Sequence, residues 1–87
     1  MTDSDKVFDF PCRFPIKVIG SGEDFDLIVC EIIRRHVPDI GEGAIKTRNS
    51  RNGNYIAVTV TITAESRQQL DNIYMELTSH ERVAMAL

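Results

Sequence analysis

The sequence contains no tryptophan, only two cysteines, and no uninterrupted apolar run long enough to cross a membrane. Cys12 and Cys30 are too few for a four-ligand zinc site on their own, and their spacing matches no metal motif. The N-terminal stretch MTDSDKVFDF is acidic and lacks the apolar core of a secretory signal. These absences predict a cytoplasmic protein with reduced thiols, no membrane association, no metal site and no bound cofactor.

The net charge is small, but the charges are unevenly placed. A formal net charge of −3 argues against general affinity for nucleic acid, because a polyanion favours a basic surface. Residues 34–51, however, hold five lysines and arginines against two acids. This basic segment 34–51 keeps an alternative open, in which the chain binds single-stranded nucleic acid.

Strict alternation of side chains is clearest in Tyr55–Thr63, YIAVTVTIT, where nearly every residue is β-branched or aromatic. This pattern predicts a strand whose even-numbered residues, Ile56 to Ile62, face the core. Shorter patterns predict strands at 16–19, at 44–49 and at 82–87. In the last of these, the residues predicted to face inward are Val83, Met85 and Leu87. The dipeptide Asn52-Gly53 lies between two strand patterns and predicts a hairpin that pairs them antiparallel.

Two apolar stripes at helical spacing predict two helices. The first runs from Phe25 to His36 and is ended by Pro38, and Ser21 with Asp24 has the spacing of a capping box. The second carries Leu70, Ile73, Tyr74 and Leu77 on one side, with Thr63 or Ser66 as its cap. The resulting order is β-α-β-β-α-β.

This order predicts an α+β fold, the ferredoxin-like βαββαβ two-layer sandwich, with a four-stranded antiparallel sheet and two helices on one face. The first and third strands are then central. Residues 10–87 are expected to form this single domain, since the length allows only one modest core. Residues 1–9 are expected to be a flexible acidic arm.

One face of such a sheet is left without helices and is a candidate interaction surface. The side chains predicted on it are Lys17, Ile19, Tyr55, Ala57, Thr59, Thr61, Ala84 and Ala86, with Lys46 and Arg48 at the edge. An RNA-binding sheet would need two or three aromatic residues on its central strands, and only Tyr55 qualifies. We therefore expect an unidentified protein partner or self-association on this face, and we also consider a solvated face without a partner.

The loop Gly20-Ser21-Gly22 precedes a helix, and backbone N–H groups at such a place can hold an anion or carboxylate. Neither a dinucleotide-binding pattern nor a P-loop is present, so a simple turn with a cap is the other interpretation. Arg34, Arg35 and His36 suit an acidic partner or compensate the helix dipole. No histidine has a serine or cysteine arranged as a nucleophile, so no catalytic residue is predicted.

The ordered set of residues also resembles the YbeD-like family of small bacterial cytosolic proteins. The matching residues are Phe10-Pro11, Phe14, Ile16-Lys17-Val18, Gly20, Arg35-His36, Pro38, Gly53-Asn54-Tyr55, Leu70, Ile73-Tyr74, Leu77, Val83, Met85 and Leu87. The resemblance covers residues 8–87 and implies a ferredoxin-like fold close to ACT-type regulatory domains. It brings no catalytic residues. By analogy with ACT domains, a small-molecule ligand would lie near the loop of residues 20–22.

The predicted function is therefore a non-catalytic, ACT-like regulatory or protein-interaction module. The alternative is a single-stranded nucleic-acid-binding module that uses the uncovered sheet face and the basic segment 34–51. The two hypotheses place the same surface in contact with different partners.

Overall fold

The computed structural model describes residues 9–49 and 53–87. Its elements are strand β1 (Cys12–Gly20), helix α1 (Phe25–His36), strand β2 (Ile45–Asn49), strand β3 (Ile56–Ala64), helix α2 (Arg67–Thr78) and strand β4 (Val83–Ala86). A 3-10 turn, Glu42–Ala44, leads into β2. The order βαββαβ confirms the predicted α+β, ferredoxin-like fold. Apart from Asp9, the predicted N-terminal arm lies outside the described residues, as does Asn52 of the predicted hairpin turn.

The strands form one antiparallel sheet in the order β2-β3-β1-β4, so β3 and β1 are central, as predicted. Even-numbered residues of these two strands point to the helices, and Ile16, Val18, Val58 and Val60 are fully buried there. They pack in one cluster with residues from both helices. Those helix residues are Phe25, Val29, Ile32, Ile33, Leu70, Ile73 and Leu77. Odd-numbered residues of β1 and β3 therefore point to the other face, which no described element covers.

Strand β1 is longer than predicted and contains Pro15 within a central strand, although proline cannot donate to a sheet. The pairing with β4 explains why this is tolerated. Lys17 exchanges both backbone hydrogen bonds with Leu87, at 3.1 and 2.7 Å, which is where the β4 pairing ends. The nitrogen of Pro15, two residues earlier, points to the same side beyond that end. Because the β4 pairing has ended there, the missing N–H of Pro15 costs no hydrogen bond to a described strand.

The prediction that Val83, Met85 and Leu87 face inward is confirmed for Val83 and wrong for Met85 and Leu87. Met85 and Leu87 are 50% and 60% exposed, whereas Val83 and Ala86 pack against the core. The register shifts, because Gly20 pairs with Val83 while the preceding Ile19 pairs with Met85. Ala84 is an extra residue in this β-bulge and interrupts the alternation. Met85 and Leu87, rather than Ala86, therefore lie on the uncovered face.

The two helices begin differently. Ser66 caps α2 by accepting a hydrogen bond from the Gln69 backbone N–H at 3.1 Å, which confirms one of the two predicted caps. The predicted Ser21–Asp24 capping box is wrong, because Asp24 at the start of α1 makes no side-chain cap bond. Its carboxylate accepts a hydrogen bond from Arg82 instead. Neither of these described helices is long and apolar enough to cross a membrane.

Candidate functional site

The uncovered face of the sheet, called the open face below, brings together most of the residues predicted as an interaction surface. Lys46, Thr59 and Lys17 lie in one row across β2, β3 and β1. The next row consists of Arg48, Ala57, Ile19 and Met85. Thr61 lies one step further along β3, opposite Pro15, and the half-exposed Tyr55 immediately precedes β3. The side chains on β3 are small, and those beside them are longer.

The open face is positively charged. Arg13, Lys17, Lys46 and Arg48 are all exposed on it, and none of them takes part in an ion pair within the described chain. None of the described strand side chains on this face is acidic. The other six lysines and arginines of the protein are outnumbered by its 13 acids. The protein therefore concentrates positive potential on one face and is acidic elsewhere.

A shallow depression of about 350 Å³ follows the small side chains of β3 on the open face. Ala57 and Thr59 form its floor, and Lys17, Lys46 and Arg48 are among the residues around it. On the β4 side of the face, Ile19 and Met85 add apolar surface. Sequence reasoning missed Met85 and Leu87 because regular alternation assigned them to the core, and no signal within residues 82–87 reveals the bulge.

The basic segment 34–51 does not form one surface. Arg35 and His36, at the end of α1, both contact Glu76 on α2 in the helix layer. Lys46 and Arg48 lie on the open face, and Arg51 lies outside the described residues. The positive surface in the folded protein thus combines part of this segment with Arg13 and Lys17 from β1.

The Arg35–His36–Glu76 cluster ties the two helices together. His36 Nε2 lies 2.8 Å from Glu76 Oε1, and Arg35 pairs with the other carboxylate oxygen. The hydrogen bond with His36, together with the charge of Arg35, holds the pKa of Glu76 below its ordinary value, although partial desolvation opposes the shift. The cluster therefore provides an internal carboxylate for Arg35 and His36, two of the three residues that were predicted to suit an acidic partner.

Glu76→Gln is expected to lower the free energy of unfolding at pH 7 by about 0.5–1 kcal/mol, because the group is partly exposed and such pairs contribute little. A carboxylate whose folded pKa is depressed stabilises the fold above its unfolded pKa and loses that effect as pH falls through the folded value. The difference between wild type and variant should thus shrink below about pH 4. Urea unfolding at pH 7 and again below about pH 4 measures this difference in the free energy of unfolding.

The matched control is Glu31→Gln on the exposed surface of α1, where no ion pair is formed within the described chain. Its effect at pH 7 should stay within about 0.5 kcal/mol. Equal destabilisation by the two substitutions, or a Glu76→Gln effect that does not depend on pH, would contradict the assigned role of the cluster.

The predicted ligand loop Gly20-Ser21-Gly22 has a partner from its own chain. Arg82 Nε donates to the Ser21 carbonyl at 3.1 Å, and Arg82 Nη2 donates to Asp24 Oδ1 at 2.8 Å. The hydrogen bond from Arg82 is also the main reason why the pKa of Asp24 lies below its ordinary value. The loop and the adjacent Asp24 thus present hydrogen-bond acceptors to Arg82. The predicted anion site would instead require backbone N–H donors that point to the ligand.

Arg82 leaves no space for a side chain at Gly22. An added Cβ would lie 1.6 Å from Arg82 Nη2, and the glycine has φ +111°, a conformation that other residues rarely adopt. Any side chain at this position therefore strains the backbone, whether or not a ligand binds. For that reason a Gly22→Val variant cannot by itself distinguish a ligand loop from a structural turn.

Other groups offer little chemistry. No group of three or more His, Cys, Asp or Glu residues in the described ranges could hold a metal ion. Cys30 is buried, and desolvation raises the pKa of its thiol, which makes it a weaker nucleophile. A cavity of about 440 Å³ lies near the end of α1, bordered by Arg13, Asp39 and Glu65 among others. It lies at the opposite end of the sheet from the predicted ligand loop.

Comparisons with known proteins show which sequences are similar to this chain. The family model described as "Protein of unknown function (DUF493)" matches residues 5–87. A UPF0250 protein of Chromobacterium violaceum is 48% identical over 86 residues, covering 98% of this chain and 97% of that protein. A UPF0250 protein of Ectopseudomonas mendocina is 49% identical over 92 residues and is covered completely, as is this chain.

The solution structure of protein HP0495 from H. pylori matches with a TM-score of 0.76 over 92% of this chain and 85% of that one. At 15% sequence identity, this likeness concerns the fold alone. The family model spans almost the whole chain, and both bacterial relatives are close to half identical to it. The chain therefore belongs to the DUF493/UPF0250 family of small bacterial proteins, in agreement with the YbeD-like resemblance of its sequence.

Proposed function

We propose that the protein is a non-catalytic module that binds a protein partner through the open face of its sheet. The observation that carries this proposal is the combination of four cations, which form no ion pair among the described residues, with apolar side chains on a surface that no described element covers. Protein interfaces commonly combine an apolar centre with a polar rim. Here Ile19, Ala57 and Met85 supply the apolar part, and the cations border it.

Single-stranded nucleic acid is a second candidate, favoured by the same four cations. The central-strand residues on the open face, however, include no aromatic side chain between Arg13 and Ile19 of β1 or between Ala57 and Thr63 of β3. Stacking on aromatic rings supplies much of the affinity for unpaired bases. Binding would then rest on charge alone, so we favour a protein partner. An ACT-like small-molecule ligand has weaker support, since Arg82 already contacts the loop of residues 20–22.

Thr59→Arg is expected to abolish capture of the partner, because it places a long cation on the floor of the depression between Lys17 and Lys46. Retention of partner proteins from a lysate of the source organism should fall at least about tenfold, since an unmatched charge in an interface costs several kcal/mol. The matched control is Thr47→Arg. Thr47 borders the same depression, but it pairs with the fully buried Val58, so its exposed side chain points to the opposite side of the sheet.

Quantitative mass spectrometry of the retained proteins measures the effect, and thermal unfolding checks that both variants fold. Wild type and Thr47→Arg should retain the same proteins, and Thr59→Arg should lose them. Equal retention by both folded variants would show that the open face is not the docking surface.

A further inference from the structure

The arrangement of charge on the open face indicates which kind of partner segment would bind there, provided that the face is the docking surface proposed above. The cations lie on both sides of β3, with Lys46 and Arg48 on β2 and Arg13 and Lys17 on β1. Between them, β3 contributes only small side chains. These are Ala57, Thr59, Thr61 and Thr63. The face is thus a trough with a small-residue floor and cations on either side, which are called its positive walls. On the β1 side the uncharged Pro15 and Ile19 alternate with these cations.

A second copy of the protein does not suit this trough. Symmetric pairing of two open faces would bring the same patch against itself, so the four cations of each copy would meet. Juxtaposed like charges across an interface are strongly unfavourable, and no acidic strand side chain on the described face offsets them. The occupant must instead bring carboxylates of its own.

The spacing of the cations matches a helix. Lys46 and Lys17 flank Thr59 on the two neighbouring strands, so their backbones are roughly 10 Å apart. An α-helix with its side chains is about 10–12 Å wide. A helix lying along β3 would place its inward stripe over the small residues and its two flanks beside the positive walls. Helices packed on both faces of a sheet are a common layered architecture.

We propose that the partner presents an amphipathic helix whose apolar stripe is bordered on both sides by aspartate or glutamate, and that this helix lies along β3 on the open face. The apolar stripe packs on Ala57 and Thr59. The acidic flanks pair with Lys46 and Arg48 on one side and with Arg13 and Lys17 on the other. Bound in this way, the helix would form a third layer, opposite α1 and α2.

Three probes of one design test this assignment against the wild-type protein. The first is a peptide of about 16 residues with leucine and alanine at helical spacing and glutamate on both flanks. The second has the same apolar stripe with glutamine in place of glutamate. The third is an oligouridylate of comparable length. Fluorescence anisotropy at low salt measures all three affinities, and a salt titration follows.

The acidic peptide should bind at least about tenfold more tightly than the glutamine peptide, and its affinity should fall as salt rises. Lys17→Glu combined with Lys46→Glu should weaken its binding at least about tenfold, since each wall is left with one cation and one carboxylate and so loses its net positive charge. The single reversal Arg34→Glu, on the exposed surface of α1, should change it less than about twofold because it lies in the other layer. Circular dichroism confirms that each variant folds.

Several results would overturn the proposal: no binding of the acidic peptide, equal affinity of the two peptides, tighter binding of the oligouridylate, or equal effects of the two charge reversals. These outcomes are separable from a failure of the docking proposal. If Thr59→Arg still loses a captured partner that Thr47→Arg retains, the open face docks a protein and only the acidic-helix assignment is wrong. If those two variants behave alike, the docking surface itself is wrong.

Discussion

Gly20→Ala is expected to lower the free energy of unfolding by at least about 2 kcal/mol, because overpacking a filled site typically costs 1–3 kcal/mol. An added Cβ would lie 2.2 Å from the Phe25 ring and 2.3 Å from the Arg82 backbone oxygen. The ring is fully buried and the oxygen belongs to the backbone, so neither can move aside easily. For a domain of this size, the melting temperature should fall by roughly 8–16 °C.

Gly43→Ala is the matched control, because nothing lies within 4 Å of a Cβ at that position and the backbone conformation is ordinary there. It should leave the melting temperature unchanged or raise it slightly. Adding Phe25→Leu to Gly20→Ala should make the combined loss smaller than the sum of the two single losses, since the ring clash is removed. A Gly20→Ala variant as stable as Gly43→Ala would contradict the described packing of β1 against α1.

Phe25→Ala is expected to cost about 3–5 kcal/mol, the range found when a buried phenylalanine is truncated. Phe25 opens α1, is fully buried, and packs between the end of β1 and the helix layer. A domain of this length has a total stability of roughly 4–13 kcal/mol, so this one substitution removes a large part of it. Chemical unfolding in urea measures the loss.

Leu27→Ala provides the comparison on the same helix. Leu27 is two residues away but 66% exposed, so its truncation should cost less than about 0.5 kcal/mol. Similar losses for the two variants would mean that α1 is rotated about its axis relative to the described structure. That rotation would also change which residues of the helix layer are exposed.

Local rules predicted the framework of the fold because neighbouring residues determine it. Alternation in Tyr55–Thr63 predicted the central strand and the buried face of β3, which holds Val58 and Val60. The paired strands β2 and β3, and the cap at Ser66, follow from short patterns as well. In each case the physical cause lies within a few residues of its effect.

The features that sequence reasoning missed depend on contacts between distant residues. The β4 bulge arises from pairing between Ile19–Gly20 and Val83–Met85, and it decides that Met85 faces outward. Arg82 reaches Ser21 and Asp24, some 60 positions earlier, and so changes the start of α1. No window of sequence contains both partners, and therefore no periodicity or capping rule could reveal these contacts.

Contacts between distant residues also explain why the candidate site was predicted only in part. Strand parity alone placed Lys17, Thr59 and Lys46 on one face. It did not show that the basic segment 34–51 divides between two layers, because Glu76 engages Arg35 and His36 only after the helices pack. Arg13 joins the positive surface through the unexpected length of β1. The open face is thus more basic, and more apolar at its β4 side, than the sequence suggested.

The central claim, that the open face docks the partner, is tested most directly by methyl NMR of the complex with a soluble paramagnetic probe. The methyl groups of Ile19, Ala57 and Met85 lie on the open face, whereas the exposed side chains of Leu27 and Met75 lie in the helix layer. On binding the captured partner, the first three should lose their relaxation enhancement and the last two should keep it. Loss at Leu27 and Met75, with Ile19, Ala57 and Met85 unchanged, would contradict the account.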